Sequence, residues 1–142
     1  MEIKHVLIPY MGTPQDEDLL RIACRVANAF KAKVSVVHVI EVPMTLPVDA
    51  ENLPGFEEAN EMLDKAEEVA LSVGVEAETG LLQGRDAGHA IVEEAIHREV
   101  DLIFMEAHER TRLGMLTLGH TVEYVLKKAP MPVWISRSTI QL

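Results

Sequence analysis

Aromatic residues are scarce in this chain: one tryptophan, two tyrosines and three phenylalanines among 142 residues. The core must therefore be built chiefly from aliphatic side chains, which an apolar share of 48% supplies for a domain of this size. Cysteine is rarer still. Cys24 stands alone among apolar residues, so no disulfide can form within the chain, and it reads as a small buried hydrophobe in a reducing, cytoplasmic setting. Positive charge is also short, with 13 Lys and Arg against 23 Asp and Glu, a formal net charge of -10. Phosphate backbones are held by clustered basic residues; no basic stripe occurs, which excludes a nucleic-acid surface. No apolar run approaches the ~20 residues that a membrane span needs, and MEIKHVLIP lacks both a basic n-region and a long apolar segment. The expectation is a cytoplasmic chain with no direct membrane insertion. Catalytic patterns are missing too: there is no H-E-x-x-H and no G-x-S-x-G, so no catalytic residue, no metal site and no enzyme are expected.

What is present is a regular alternation of strand-length apolar runs with helical patterns, the signature of βαβ units around a parallel sheet. The expected strands are His5 to Pro9, Val34 to Ile40, Val75 to Leu81, Asp101 to Glu106 and Pro132 to Ser136. Between them, helices are expected from Pro14 to about Lys31, Phe56 to Val73, Asp86 to Val100 and Leu118 to Ala129. Thr13-Pro14-Gln15-Asp16 has the form of a capping box with proline at the first helical position. The first helix shows an apolar face of Leu19, Ile22, Ala23, Val26, Ala27 and Phe30. On the second, Phe56, Ala59, Leu63, Ala66, Val69, Ala70 and Val73 are expected to face inward, with Gly74 as the cap. Residues 75 to 81 alternate apolar and polar, which suits an edge strand. Glu41 to Pro54, with three prolines, reads as a long functional or mobile loop. No repeat or linker divides residues 1–142, so a single domain is expected.

Right-handed crossovers give an α/β, three-layer αβα arrangement with a five-stranded parallel sheet in the order 3-2-1-4-5. The crevice then opens between the first and fourth strands, lined by Tyr10 to Thr13 and Ala107 to Gly119.

The stretch Asp101 to Arg137, DLIFMEAHERTRLGMLTLGHTVEYVLKKAPMPVWISR, closely resembles the C-terminal signature of the universal stress protein (UspA-like) family, and the resemblance runs from KHVLIP to PMPVWISR. It implies an adenine-nucleotide alpha-hydrolase-like fold. In nucleotide-binding members the signature reads G-x-x-G, nine residues, then G-[ST]; here Glu106 and Glu109 stand at the first two glycines, Gly119 keeps the third, and His120 replaces the hydroxyl residue. The family's first strand ends in a P-V-D-G-S-like turn, whereas this chain reads Pro9-Tyr10-Met11-Gly12-Thr13, with Met11 in place of the acid. The resemblance thus implies a universal stress protein domain that binds no ATP, a homodimeric stress-response or regulatory binding protein without a cofactor. Gly12 and Gly119 are the residual pocket candidates. The alternatives are a regulatory domain binding ATP through a divalent cation held by Glu106, Glu109 and His108 or His120, and an accessory module of a transporter. The resemblance also implies homodimerisation through the last strand, Val133, Trp134 and Ile135. Arg110 and Arg112 are expected to pair with Glu106 and Glu109, Glu93 with His97 across one helical turn, and the acid run Asp16 to Asp18 to be a solvated face.

Overall fold

Thr13 opens the first helix as its chemistry requires: its hydroxyl accepts from the Asp16 N–H, and the Asp16 carboxylate reaches back to the Thr13 N–H. The computed structural model describes residues 2–108, 110–112 and 115–137, with the backbone alone for 110–112 and 115–117. In chain order the elements are β1 (His5–Pro9), α1 (Pro14–Ala29), β2 (Lys33–Glu41), α2 (Phe56–Ser72), β3 (Glu78–Gly84) and α3 (Ala87–His97). There follow β4 (Leu102–Glu106), β5 (Arg110–Arg112), β6 (Met115–Thr117), α4 (His120–Lys128) and β7 (Val133–Ser136). The main sheet has the order β3-β2-β1-β4-β7 with every pairing parallel, the expected 3-2-1-4-5.

Alternation along β1 divides the core. Val6 and Ile8 pack with Leu19, Leu20, Ala23 and Cys24 of α1 and with Leu63 and Ala66 of α2. Leu7 turns to the other face, with Ile91 and Val92 of α3 and Val122 and Val125 of α4. Two apolar clusters on opposite faces of one sheet make the three layers.

Several boundaries depart from the sequence expectation. The third strand lies three residues later than the alternation suggested, because its ladder with β2 runs from Ser35–Glu78 to Glu41–Gly84. It is an edge strand, as expected, since it pairs only with β2. The apolar face of α1 is centred on Leu19, Leu20, Ala23, Cys24 and Ala27, which leaves Ile22 and Phe30 exposed. Phe56 of α2 is exposed as well. The antiparallel pair β5–β6 was not expected; it folds the segment after β4 back on itself. The proline-bearing loop after β2 is tied down by side chains from beyond β3's centre. Gln83 donates to the Val48 and Ala50 carbonyls, and Arg85 to those of Val42 and Pro43.

At the opposite end of β1, His5 shares a 2.7 Å hydrogen bond with the fully buried Ser35. Burial, and then the nearby Lys33 charge, hold its pKa below the ordinary value, against weaker opposing contributions from Arg98's backbone hydrogen bond and Glu78. A histidine lowered in this way supports the fold above its unfolded pKa of about 6.5, and that support fades as pH falls from there towards the folded value. The stability difference between the wild type and His5→Gln is therefore expected to shrink between about pH 7.5 and about pH 5 in urea titrations. A difference that stays constant or grows on acidification would contradict this.

Candidate functional site

The crevice forms where β1 and β4 diverge in their connections, α1 leaving to one face and the segment after β4 to the other. It is a cleft of about 370 Å³. Its apolar walls come from Val37, Val39, Ile91, Met105, Leu118 and Val122. Its polar side chains are the acids Asp16, Glu41 and Glu106, the histidines His38, His108 and His120, and the hydroxyl residues Tyr10 and Thr121. No lysine or arginine occurs among the described residues that line it.

Asp16 is the centre of the β1 side. Its side chain is 1% exposed, and its carboxylate accepts from the Met11 N–H at 2.9 Å and the Thr13 N–H at 3.3 Å. From across the crevice, His108 Nε2 lies 3.4 Å from Asp16 Oδ1 and 3.1 Å from Thr13 Oγ1. The hydrogen bond to Thr13 and the approach to the Asp16 carboxylate latch the segment after β4 to the turn after β1. Asp16 fills the capping-box role that Thr13-Pro14-Gln15-Asp16 predicts, and that role buries it, so of the acid run expected to be a solvated face Asp16 is the exception. The T-P-x-D capping box was the available signal, because an acid that bonds two turn amides cannot point to solvent.

Beneath the turn, Tyr10 is buried with its carbonyl accepting from His38 Nδ1 at 2.8 Å. Burial, with the Glu17 and Asp16 charges adding to it, pushes the Tyr10 phenol up to about 12. At the third wall, Glu41 accepts from the Ala87 N–H, and Asp86 caps α3 through the Gly88 N–H at 2.8 Å. His120 donates to Asp86 at 3.3 Å. Burial tends to raise the Asp86 pKa, but the hydrogen bonds from His120 and the Gly88 and His89 N–H groups outweigh it and hold the carboxyl below its ordinary value.

Gly119, at φ +95, precedes α4 in a conformation that favours glycine and lines the crevice, and no side chain caps the helix behind it. Gly12, at φ +81, makes the turn; a Cβ there would stand 2.5 Å from Met62 Sδ, so its bare face is turned towards α2. It is not among the residues lining the crevice. Glu106 lines it and is only 3% exposed, whereas Met11 is 58% exposed at the rim. The side chains of Glu109, Arg110 and Arg112 lie outside the described residues, so their expected pairing does too. Glu93 pairs with His89 at 3.0 Å, one turn before it and not one turn after it at His97. No cluster of three or more His, Cys, Asp or Glu side chains suited to a metal occurs among the described residues.

The model of the Universal stress protein family matches residues 2–137. The chain belongs to the universal stress protein family. A curated relative from Thermus aquaticus, described as a universal stress protein in the QAH/OAS sulfhydrylase 3'region, is 36% identical over 141 residues, covering 94% of this chain and 98% of its own. Among solved structures, the universal stress protein from Archaeoglobus fulgidus in complex with dAMP aligns with a TM-score of 0.75 at 22% identity, covering 95% of this chain and 98% of that one. A universal stress protein in complex with cAMP aligns with a TM-score of 0.72 at 18% identity, over 98% of this chain and 100% of its own. These likenesses establish the fold of this universal stress protein domain.

At the sheet's far edge, Trp134 of β7 is 36% exposed and meets Phe104 of β4 edge to face, with ring centroids 5.7 Å apart. The universal stress protein domain thus anchors the inner face of this indole and leaves its outer part in solvent. Among the described residues no helix is long and apolar enough to cross a membrane.

Proposed function

We propose that this universal stress protein domain is a cytoplasmic, homodimeric regulatory or stress-response protein that acts by binding, not by catalysis, and that it does not bind ATP. The observation that carries the reading is Glu106, a carboxylate buried to 3% exposure in the wall of the crevice, at the position where nucleotide-binding members carry a glycine. A carboxylate about 5 Å from a phosphate charge is unfavourable by roughly 3 kcal/mol at an effective dielectric of 20. Asp16 and Glu41 line the same space and add to the repulsion. Self-association through Val133, Trp134 and Ile135 is supported by the partly exposed edge strand they form.

A second reading is favoured by two observations: the crevice remains open, and relatives of the same fold have been solved with dAMP and cAMP. In that reading the domain is an ATP-binding regulator that needs a divalent cation to neutralise its glutamates. Calorimetric titration with ATP, with and without magnesium, separates the two. No saturable heat is expected in either buffer. A micromolar dissociation constant overturns the leading reading, and one that appears only with magnesium establishes the second.

A further inference from the structure

The loop between β2 and α2 combines apolar exposure with a fixed shape. Met44 is 84% exposed, and Leu46 and Val48 are exposed beside it, with Pro43 and Pro47 interleaved. A single exposed leucine is ordinary on a protein surface, whereas a run of large apolar residues in one loop marks an interaction site. The backbone of this run is held at both ends. The Leu46 N–H donates to the Pro43 carbonyl and the Ala50 N–H to the Pro47 carbonyl, so two successive turns each open on a proline. From the end of β3, Gln83 donates to the Val48 and Ala50 carbonyls at 3.1 and 3.0 Å. Arg85 donates to those of Val42 and Pro43 at 3.3 and 2.6 Å. All of these bonds end on carbonyls, so they fix the loop while its apolar side chains remain in solvent.

The charge that accompanies this ridge is of one sign. No lysine or arginine occurs between Lys33 and Lys65, and the Arg85 guanidinium that reaches the loop is engaged at its base. Asp49, Glu51, Glu57 and Glu58 follow the ridge in the chain, all exposed and without an ion pair among the described residues. We propose that the ridge docks a protein partner that offers an apolar groove edged by lysine and arginine. The acids select that occupant over the others. A second copy of this chain carries a net charge of -10 and no basic stripe, and an anionic phospholipid surface repels the same carboxylates. The hydrogen bonds from Gln83 and Arg85 supply the remaining condition, because a ridge already held in one shape loses little conformational freedom on docking. None of residues 42–50 lines the crevice, so the proposal goes beyond the ATP reading and does not rest on it.

The test places photoreactive benzoylphenylalanine at Thr45, which is exposed between Met44 and Leu46, in the full chain. Irradiation in an extract of the source cells is expected to give a discrete protein adduct. The protein so captured is then purified and titrated against the unmodified chain, with a micromolar or tighter dissociation constant expected. Met44→Ser combined with Leu46→Ser is expected to weaken that binding at least about tenfold. Raising salt from about 0.05 M to about 0.5 M is expected to weaken it several-fold, and Glu57→Gln with Glu58→Gln to remove part of that dependence. Gln83→Ala leaves every apolar and acidic side chain of the ridge in place and releases two of its carbonyls. It is expected to weaken binding about threefold or more, a loss that indiscriminate apolar adhesion would not show. An adduct with a second copy alone, no adduct, or saturable binding to phosphatidylcholine vesicles in place of a protein overturns the proposal. So does a captured protein whose affinity is unchanged by salt, by the serine pair or by Gln83→Ala.

Discussion

Glycine in place of Glu106 and Glu109 is expected to raise ATP affinity from undetectable to measurable, with about a hundredfold of the gain due to residue 106 alone. The estimate follows from the charge. Removing roughly 3 kcal/mol of repulsion changes an equilibrium constant by about two powers of ten. Glu106→Gln separates the two ways in which the side chain opposes phosphate, since it keeps the bulk and removes the charge. If repulsion dominates, the glutamine variant recovers most of the gain; if bulk dominates, only glycine does. Calorimetry on the wild type and the single and double variants reads this directly. Unchanged ATP affinity in the double glycine variant would show that the altered β1 turn, with Met11 at the family's acid position, excludes ATP by itself. The role assigned to Glu106 would then be wrong.

Replacing Asp16 by alanine is expected to destabilise the fold by about 2–4 kcal/mol, the largest loss anticipated for a polar substitution in this chain. The carboxylate closes the capping box of α1 and accepts from the Met11 and Thr13 N–H groups in a buried setting. Its removal leaves those amides without their acceptor and takes from His108 one of its two partners across the crevice. Asp16→Asn keeps an acceptor oxygen and is expected to cost roughly half as much. Thr13→Ala, which loses one capping hydroxyl, is expected to cost about 1 kcal/mol. Urea unfolding with an unchanged slope gives these differences. An alanine variant within about 0.5 kcal/mol of wild type would mean that the turn holds itself without the carboxylate.

The fold was legible in the sequence because each of its determinants is local. Continuous apolar runs at Val34 to Ile40, a capping box at Thr13, and an alternating edge strand each carry their own signature. Boundaries were less legible where pairing overrides local preference. Strand β3 takes its position from its ladder with β2, and that extends it to Gly84, past the end of its own alternation. The hairpin β5–β6 has only three residues in each arm, too short for a period to emerge. The crevice was placed correctly from topology, and Glu106, Gly119, His108 and His120 were found at its wall from the family frame. Asp16 and Glu41 were not. Each belongs to the site because its carboxylate bonds a backbone amide in a turn or at the start of a helix, and three-dimensional proximity of that kind leaves little trace in spacing.

Trp134 is the chain's single tryptophan, and it sits half in solvent at the free edge of β7, braced from within by Phe104. All of the protein's indole emission therefore originates at one point on the sheet's rim. The molecule carries a built-in optical probe whose colour follows the wetting of that rim, so a second copy docking there announces itself in the unlabelled protein as a shift of its fluorescence to shorter wavelength.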